Sequence, residues 1–434
     1  MAVSVDEAIR ESLRLFPNVP DVKEKQKKCI ELLLKRKDVL GLLPTGFGKS
    51  LIYQLFPSVF ETMNCKGAHV LVVSALKAIS NEQVEELNDL GIPASEVGIS
   101  EQEDLKILRR EYSLIFGSAE MLLKKEWLDK FKKSKLMGTV ELLVVDEAHV
   151  SQTWGKSSHR KKAFRAAYGE LSTLRSFLKP GAPVLALTAT VEWKSRVNLI
   201  KLLGMQAPEI VDVSINNENI RFSVQKIKKG LQCFNWLVAK IATQQQSTSK
   251  TIIFCRSITD ISTVLSYLLA KLGSAAYVDQ EKSPLKCLIA VYHSNSPEES
   301  KDVRYIIHYG PAPDLRTHLQ EAGRAGRDGK AAFNVLYYHG QQLRLCDKNF
   351  KESLKVTSCY RVAFLKTFDS TVKPLNEGHN CCSNCHQACQ CSGENCAVSL
   401  PVFESVDSQE TMTQGERIIN GTDIADLPFM EQYL

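Results

Sequence analysis

Leu42-Leu43-Pro44-Thr45-Gly46-Phe47-Gly48-Lys49-Ser50 is the stretch on which the reading of this chain turns. An apolar run over 39–43 leads into it, and Leu51-Ile52-Tyr53-Gln54 continues it with a helical pattern. Strand, glycine-bearing turn and helix, opening on Lys-Ser, form the context that a phosphate-binding loop requires. Gly46 and Gly48 let backbone N–H groups face an anion, and the helix N-terminus adds its partial positive charge. Lys49 is then placed to reach β- and γ-phosphates and Ser50 to hold Mg²⁺. Leu43 stands where the general pattern has glycine. The bland alternative is a glycine-rich turn that happens to precede Lys-Ser, and the flanking strand and helix argue against it.

About a hundred residues further on, Val144-Val145-Asp146-Glu147-Ala148-His149 closes another apolar run. An acid at the carboxyl end of a buried strand beside such a loop can hold Mg²⁺, which suits Asp146, and Glu147 is then placed to orient or deprotonate an attacking water. Between and beyond these stretches, short apolar runs at 39–43, 69–74, 114–117, 142–145 and 184–187 alternate with amphipathic segments. A second series follows at 251–255, 304–308 and 333–337. Strands buried on both faces and joined by crossover helices read this way, so the class is α/β with parallel sheets in two successive units. The expected division is 1–208, 209–345, a cysteine-rich helical module at 346–396 and an acidic, loosely attached tail at 397–434.

Lys and Arg total 55 against 49 Asp and Glu, for a formal charge of +6. The tail holds seven acids and one base, a net of −6, so the first 396 residues carry +12, a balance that suits a polyanionic partner. No apolar run approaches the roughly 18 residues of a membrane span, and 1–16 reads as an amphipathic helix rather than a leader. Six of the 13 cysteines fall between Cys381 and Cys396. Such clustering reads as metal binding in a reducing compartment, nucleus or cytosol.

With these residues assembled, the chain resembles the RecQ family of DNA helicases. The loop string with Leu51 and Tyr53-Gln54 is similar to that family's first motif. Val72-Val73-Ser74-Ala75-Leu76 with Gln83-Val84, Asp146-Glu147-Ala148-His149, Leu187-Thr188-Ala189-Thr190 and Asn219-Ile220-Arg221 continue the series. Gln320-Glu321-Ala322-Gly323-Arg324-Ala325-Gly326-Arg327-Asp328-Gly329 is the most specific match. The resemblance runs from about 22 to 389 and implies two tandem RecA-like domains with ATP between them. It makes Pro44 to Ser50 the phosphate cradle and Gln26 the residue reading adenine. Lys49, Asp146, Glu147, Gln320, Arg324 and Arg327 become the catalytic set, with Arg327 as the finger and Arg324 beside it. It also implies a loop reading single-stranded DNA, matched by Trp154, Phe164 and Arg165 with Tyr168 near by, and a link from ATP to DNA through Thr188 and Thr190. Aromatic faces stack on bases whatever their identity. The basic insertion 156–163 within that loop is open to two readings, a phosphate grip or a solvated piece.

Cys382-Ser-Asn-Cys385-His-Gln-Ala-Cys389 has spacing suited to Zn²⁺. The family draws its first zinc cysteine from a helix, a place Cys359 fits, so Cys359, Cys382, Cys385 and Cys389 form the expected structural site. Cys381, Cys391 and His379 compete for a place in it.

The chain departs from the family where a motif should precede the run 304–308. Only a few residues separate Tyr292-His293-Ser294-Asn295 from Lys301-Asp302-Val303-Arg304. The join has the form of an internal deletion near 300 that also removes a central strand, unless 287–291 is recruited to replace it. Longer family members continue into a winged-helix domain, for which the acidic tail is no substitute. The expectation is a nuclear or cytosolic DNA helicase dependent on ATP and Mg²⁺, moving 3′ to 5′ by family analogy. It would act on single-stranded and forked DNA in repair, recombination or replication, alongside proteins of those processes, with no membrane partner. The alternative is a coupling-defective isoform that binds nucleic acid or a partner without unwinding, and a third reading is an RNA helicase.

Overall fold

The computed structural model describes residues 3–64, 66–74, 77–151, 166–189, 191–291 and 302–389. They form two compact units, one of residues up to Ile215 together with Thr367–Asp369, the other from Asn216 onward.

The first unit is built on a seven-stranded sheet in the order β3-β4-β2-β5-β6-β1-β7. Its strands are β1 (Val39–Leu42), β2 (His69–Val73), β3 (Ala94–Glu96), β4 (Leu114–Gly117), β5 (Val140–Val145), β6 (Val184–Thr188) and β7 (Glu209–Asp212). All pairings are parallel. The apolar runs serve two cores at once. Val70, Val72, Leu142, Val144, Leu185 and Leu187 face one hydrophobic cluster, whereas Leu71, Val73, Leu143, Val145, Val184 and Ala186 face the other. A strand with helices on both faces needs apolar residues at every position. Among the covering helices are α1 (Val5–Leu13), α2 (Glu24–Leu34), α3 (Lys49–Asn64) and α4 (Lys77–Asp89). Ser4 and Glu7 close a capping box on α1, satisfying backbone donors at its start.

Two elements depart from the sequence reading here. β3 had no apolar signal because Glu96 and Ser80 bury their polar ends against each other at 2.8 Å. β7 pairs with β1 through Val39↔Glu209 to Leu42↔Asp212. A boundary at 208/209 would therefore cut a strand off its own sheet, and the first unit reaches Ile215.

The second unit holds a four-stranded parallel sheet in the order β8-β11-β10-β9. Its strands are β8 (Ile220–Lys226), β9 (Thr251–Cys255), β10 (Tyr305–Tyr309) and β11 (Ala332–Tyr338). Every residue of β10 is buried, while every residue of β9 is only half-buried. Residues 287–291 do not join the sheet, since Cys287 makes an isolated bridge to Tyr277 and nothing longer. The cysteine-bearing helices are part of this same unit. Phe364 packs edge-on against Phe222 of β8, and buried Arg361 bonds Asn216 Oδ1 at 2.6 Å and the Asn217 carbonyl at 3.1 Å. The segment expected to stand alone at 346–396 thus shares the second unit's core as far as it is described.

Candidate nucleotide site and cysteine cluster

In the first unit the order β5-β6-β1 brings three strand ends side by side. Ligands of open parallel sheets bind at such carboxyl ends. From β1 the chain turns through Gly46 (φ 78) and Gly48 (φ 84) into α3. Both glycines occupy the left-handed region that side chains resist. Gln26 on α2 braces the turn. Its Nε2 donates to the carbonyls of Phe47 at 3.1 Å and Gly48 at 2.8 Å, and a Cβ on Gly48 would meet that nitrogen at 2.8 Å. Lys23 Nζ also donates to the Phe47 carbonyl, at 3.0 Å, and lies 4.4 Å over the Phe47 ring.

Lys49 opens α3 with its Nζ 3.7 Å from Glu147 Oε1. The other Glu147 oxygen lies 3.2 Å from His149 Nδ1, which is 3.1 Å from Thr188 Oγ1 at the end of β6. Glu147 has φ 46, a strained value for a residue with a Cβ, and such strain clusters at functional sites. Asp146 Oδ1 accepts from the Glu147 N–H at 2.9 Å, and the buried hydroxyl of Tyr53 lies 3.3 Å from Asp146 Oδ2 and 2.8 Å from Gln83 Oε1 on α4. Burial and the neighbouring Glu147 charge push Asp146 up to about 6, with Lys49 opposing them. Burial also lifts Glu147, but the His149 hydrogen bond and the Lys49 charge outweigh it and leave the carboxyl below its ordinary range. An ammonium and two carboxylates around a glycine-lined turn can hold a polyphosphate and its divalent cation. A cation at Asp146 would relieve the burial that disfavours its charged form.

In the second unit, Gln320 lies in the helix Leu315–Ala322, and Arg324 and Arg327 follow its carboxyl end. Gly326 (φ 59) turns that loop, and a Cβ there would meet Asn219 Nδ2 at 2.5 Å and the Lys330 carbonyl at 2.9 Å. Asn219 Nδ2 donates to the carbonyls of Gly326 at 2.9 Å and Lys330 at 2.8 Å. Arg304 pairs with Asp328 and holds that carboxyl well below the usual range. Gly326 and Asn219 therefore serve to fix the loop that carries the two arginines.

The thiols of Cys359, Cys381, Cys382 and Cys385 all lie within 4.8 Å of one another. Cys359 Sγ is 3.5 Å from Cys381 Sγ and 4.0 Å from Cys382 Sγ. Tetrahedral Zn–S bonds of about 2.3 Å set sulfurs roughly 3.8 Å apart, so the group fits that ion. Backbone N–H groups of Tyr360 and Cys385 donate to Cys382 Sγ, each at 3.4 Å, and that of Leu375 donates to Cys381 Sγ at 3.4 Å, as thiolates require.

The DEAD/DEAH box helicase family model matches residues 23–199. ATP-dependent DNA helicase Q1 of Mus musculus is 26% identical over 83% of this chain and 59% of its own length. ATP-dependent DNA helicase RecQ of Pasteurella multocida is 28% identical over 72% of this chain and 49% of its own. ATP-dependent helicase SGS1 of Saccharomyces cerevisiae is 26% identical over 92% and 30%. Residues 23–199 thus match a DEAD/DEAH box helicase domain, and the relatives that the chain resembles are RecQ-type helicases. The chain spans between about a third and two thirds of the length of these relatives. Its fold is similar to that of Mss116p bound to ssRNA and AMP-PNP (TM-score 0.59, 17% identity, 82% of this chain and 77% of that one). It is likewise similar to DUF1998 helicase MrfA bound to DNA (TM-score 0.56, 16% identity, 78% and 49%).

Gly46, Gly48, Lys49, Ser50, Asp146, Glu147 and Thr188 gather around one end of the first sheet, with Pro44, Thr45 and Phe47 in the same turn. Trp154, Phe164, Arg165 and Thr190 lie outside the described residues. Tyr168 does not stack on bases: it is buried, donating to the Ser74 carbonyl at 2.9 Å. Cys389 is not in the thiol cluster but 3.8 Å from His379 Nδ1, and Cys381 takes the fourth place. The reason is local: Cys381 ends one short helix, and Cys382, extended at φ −162, caps the next, so adjacent residues turn their sulfurs to one point. Tyr53 and Gln83 were in quoted motifs without a role. The signal for Tyr53 was its spacing, four residues after Lys49 and so on the same helix face.

Proposed function

We propose that this chain is a DNA-stimulated ATPase that acts as a DNA helicase moving 3′ to 5′ on single strands and forks. The observation that carries the reading is the constellation of Lys49, Asp146 and Glu147 at the carboxyl ends of β1 and β5, beside the Gly46–Gly48 turn. In this mechanism the loop N–H groups and Lys49 bind and orient the triphosphate, and Gln26, which braces the loop, is the residue that would read adenine. Ser50 and Asp146 are the residues that would hold Mg²⁺, which would supply positive charge to the phosphate chain. Glu147, kept ionised by His149 and Lys49, accepts a proton from the attacking water. Arg327, with Arg324 and Gln320, meets the charge that develops on the transferred phosphoryl group. Thr188, bonded to His149 at the end of β6, links this chemistry, with Thr190, toward DNA. Trp154, Phe164 and Arg165 stack on and grip the single strand.

The thiols of Cys359, Cys381, Cys382 and Cys385 form a structural Zn²⁺ site with no open position for catalysis. No helix among the described residues is long and apolar enough to cross a membrane. Thiols clustered as metal ligands fit a reducing compartment such as the nucleus, where DNA, single-stranded or forked, and the proteins of repair and replication are the partners.

One observation favours a second reading, in which nucleotide and DNA bind without strand separation. The second sheet has four strands among the described residues, and β9 is half-buried throughout, as if a neighbour were missing. A forked duplex with a 3′ tail separates the two. Release of the displaced strand only with hydrolysable ATP supports the helicase. DNA-stimulated hydrolysis with no released strand supports the coupling-defective protein.

A further inference from the structure

In the second sheet, His308 of β10 is paired with Phe254 of β9, and Asn334 of β11, paired with Ile306 two residues before His308, lies on the same face. The His308 ring stacks on Phe254 (centroids 5.5 Å, 18°), and Asn334 Nδ2 donates to His308 Nε2 at 2.9 Å. Burial pushes His308 down to about 3, so the ring is neutral. With Nε2 already an acceptor, the single ring proton must sit on Nδ1. That atom lies 3.1 Å from Oε2 of Glu321, on the helix Leu315–Ala322. Asparagine, histidine and carboxylate thus form a directed chain in which each member fixes the next.

We propose that Glu321 is a positioning residue. Accepting from His308 Nδ1–H, it sets the roll of its helix and with it the presentation of Gln320, one residue before, and of Arg324, three after. The inference rests on the reading of those residues as nucleotide-facing. The groups facing Glu321 are His308 from β10, His318 and Asp314 from its own helix, and Arg256 following β9. Burial outweighs the favourable charges of His318 and Arg256 and lifts Glu321 to about 7. Above that pH the carboxylate accepts a charge-assisted bond, and below it the bond weakens.

The test is ATP turnover with single-stranded DNA across pH for the full chain and for Glu321→Gln and Glu321→Leu. A group titrating at about 7 changes its charged fraction about tenfold between about pH 6 and pH 8. Wild-type turnover should show an acid limb of that size. Glu321→Gln, whose amide oxygen accepts at every pH, should lack the limb and stay near the alkaline plateau, with Glu321→Leu low in kcat throughout at similar KM. An unaltered limb in Glu321→Gln overturns the proposal while leaving the ATPase reading intact. If the wild type turns over no ATP, that reading fails, and the Nε–H resonances of Arg324 and Arg327 then decide. They should shift with pH around the same midpoint in wild type and not in Glu321→Gln, and invariance in both overturns the proposal.

Discussion

The two sheets carry the same strand chemistry to different ends. In the first, seven strands pair in parallel and strands such as β4 and β5 are buried at every residue. In the second, β9 reads Thr-Ile-Ile-Phe-Cys, as apolar as any strand of the first, yet none of its residues is buried. Its neighbour β10 is buried throughout. Apolar residues on both faces are the mark of an interior strand, and sheets normally shield such a strand from their edge. The difference teaches that the sequence around β9 suits a wider sheet than the four described strands provide. Among the described strands, β9 is the edge of this sheet. The half with the Gly46–Gly48 turn sets it on a seven-stranded sheet, and the arginine-bearing half sets its loop on four described strands.

Several measurements would break or sharpen that contrast. The largest effect belongs to the arginine loop. Arg327→Ala should slow DNA-stimulated turnover on the order of 10³-fold while leaving nucleotide affinity nearly unchanged. A full-speed variant would mean that the second half plays no part in the chemistry. Next comes the cysteine cluster. Cys381→Ser should lower bound zinc well below one ion per chain and reduce the melting temperature, with Cys389→Ser retaining the ion. The opposite ranking by metal analysis would restore Cys389 to the site. Smaller still is the packing comparison. Ile307→Ala in fully buried β10 should cost about 2–5 kcal/mol in denaturant unfolding. Ile253→Ala in half-buried β9 should cost about 1 kcal/mol. Equal losses would show that β9 is covered in solution.

Much of the first half was legible because its signals are local. A turn needing Gly46 and Gly48, a lysine at the start of a helix and two acids after a buried strand all sit within a few residues of one another. β7 was misassigned because only Val211 of its four residues is buried, which leaves no apolar run to read. β8 was missed because Arg221 and Ser223 alternate with apolar residues, although Arg221 and Ser223 are themselves buried. For the thiols, spacing ranks pairs along the chain, but the break between helices at Cys382 decided which sulfurs converge. The Asn334–His308–Glu321 chain joins three elements that no sequence window spans. How the two units meet bears on catalysis most, and it rests on the resemblance rather than on any local signal.

The most direct test of the central claim is phosphate release from ATP, with and without single-stranded DNA, by the full chain and by Lys49→Ala. The account predicts DNA-stimulated release that the substitution abolishes in a protein that still folds. Equal release by both proteins would contradict it.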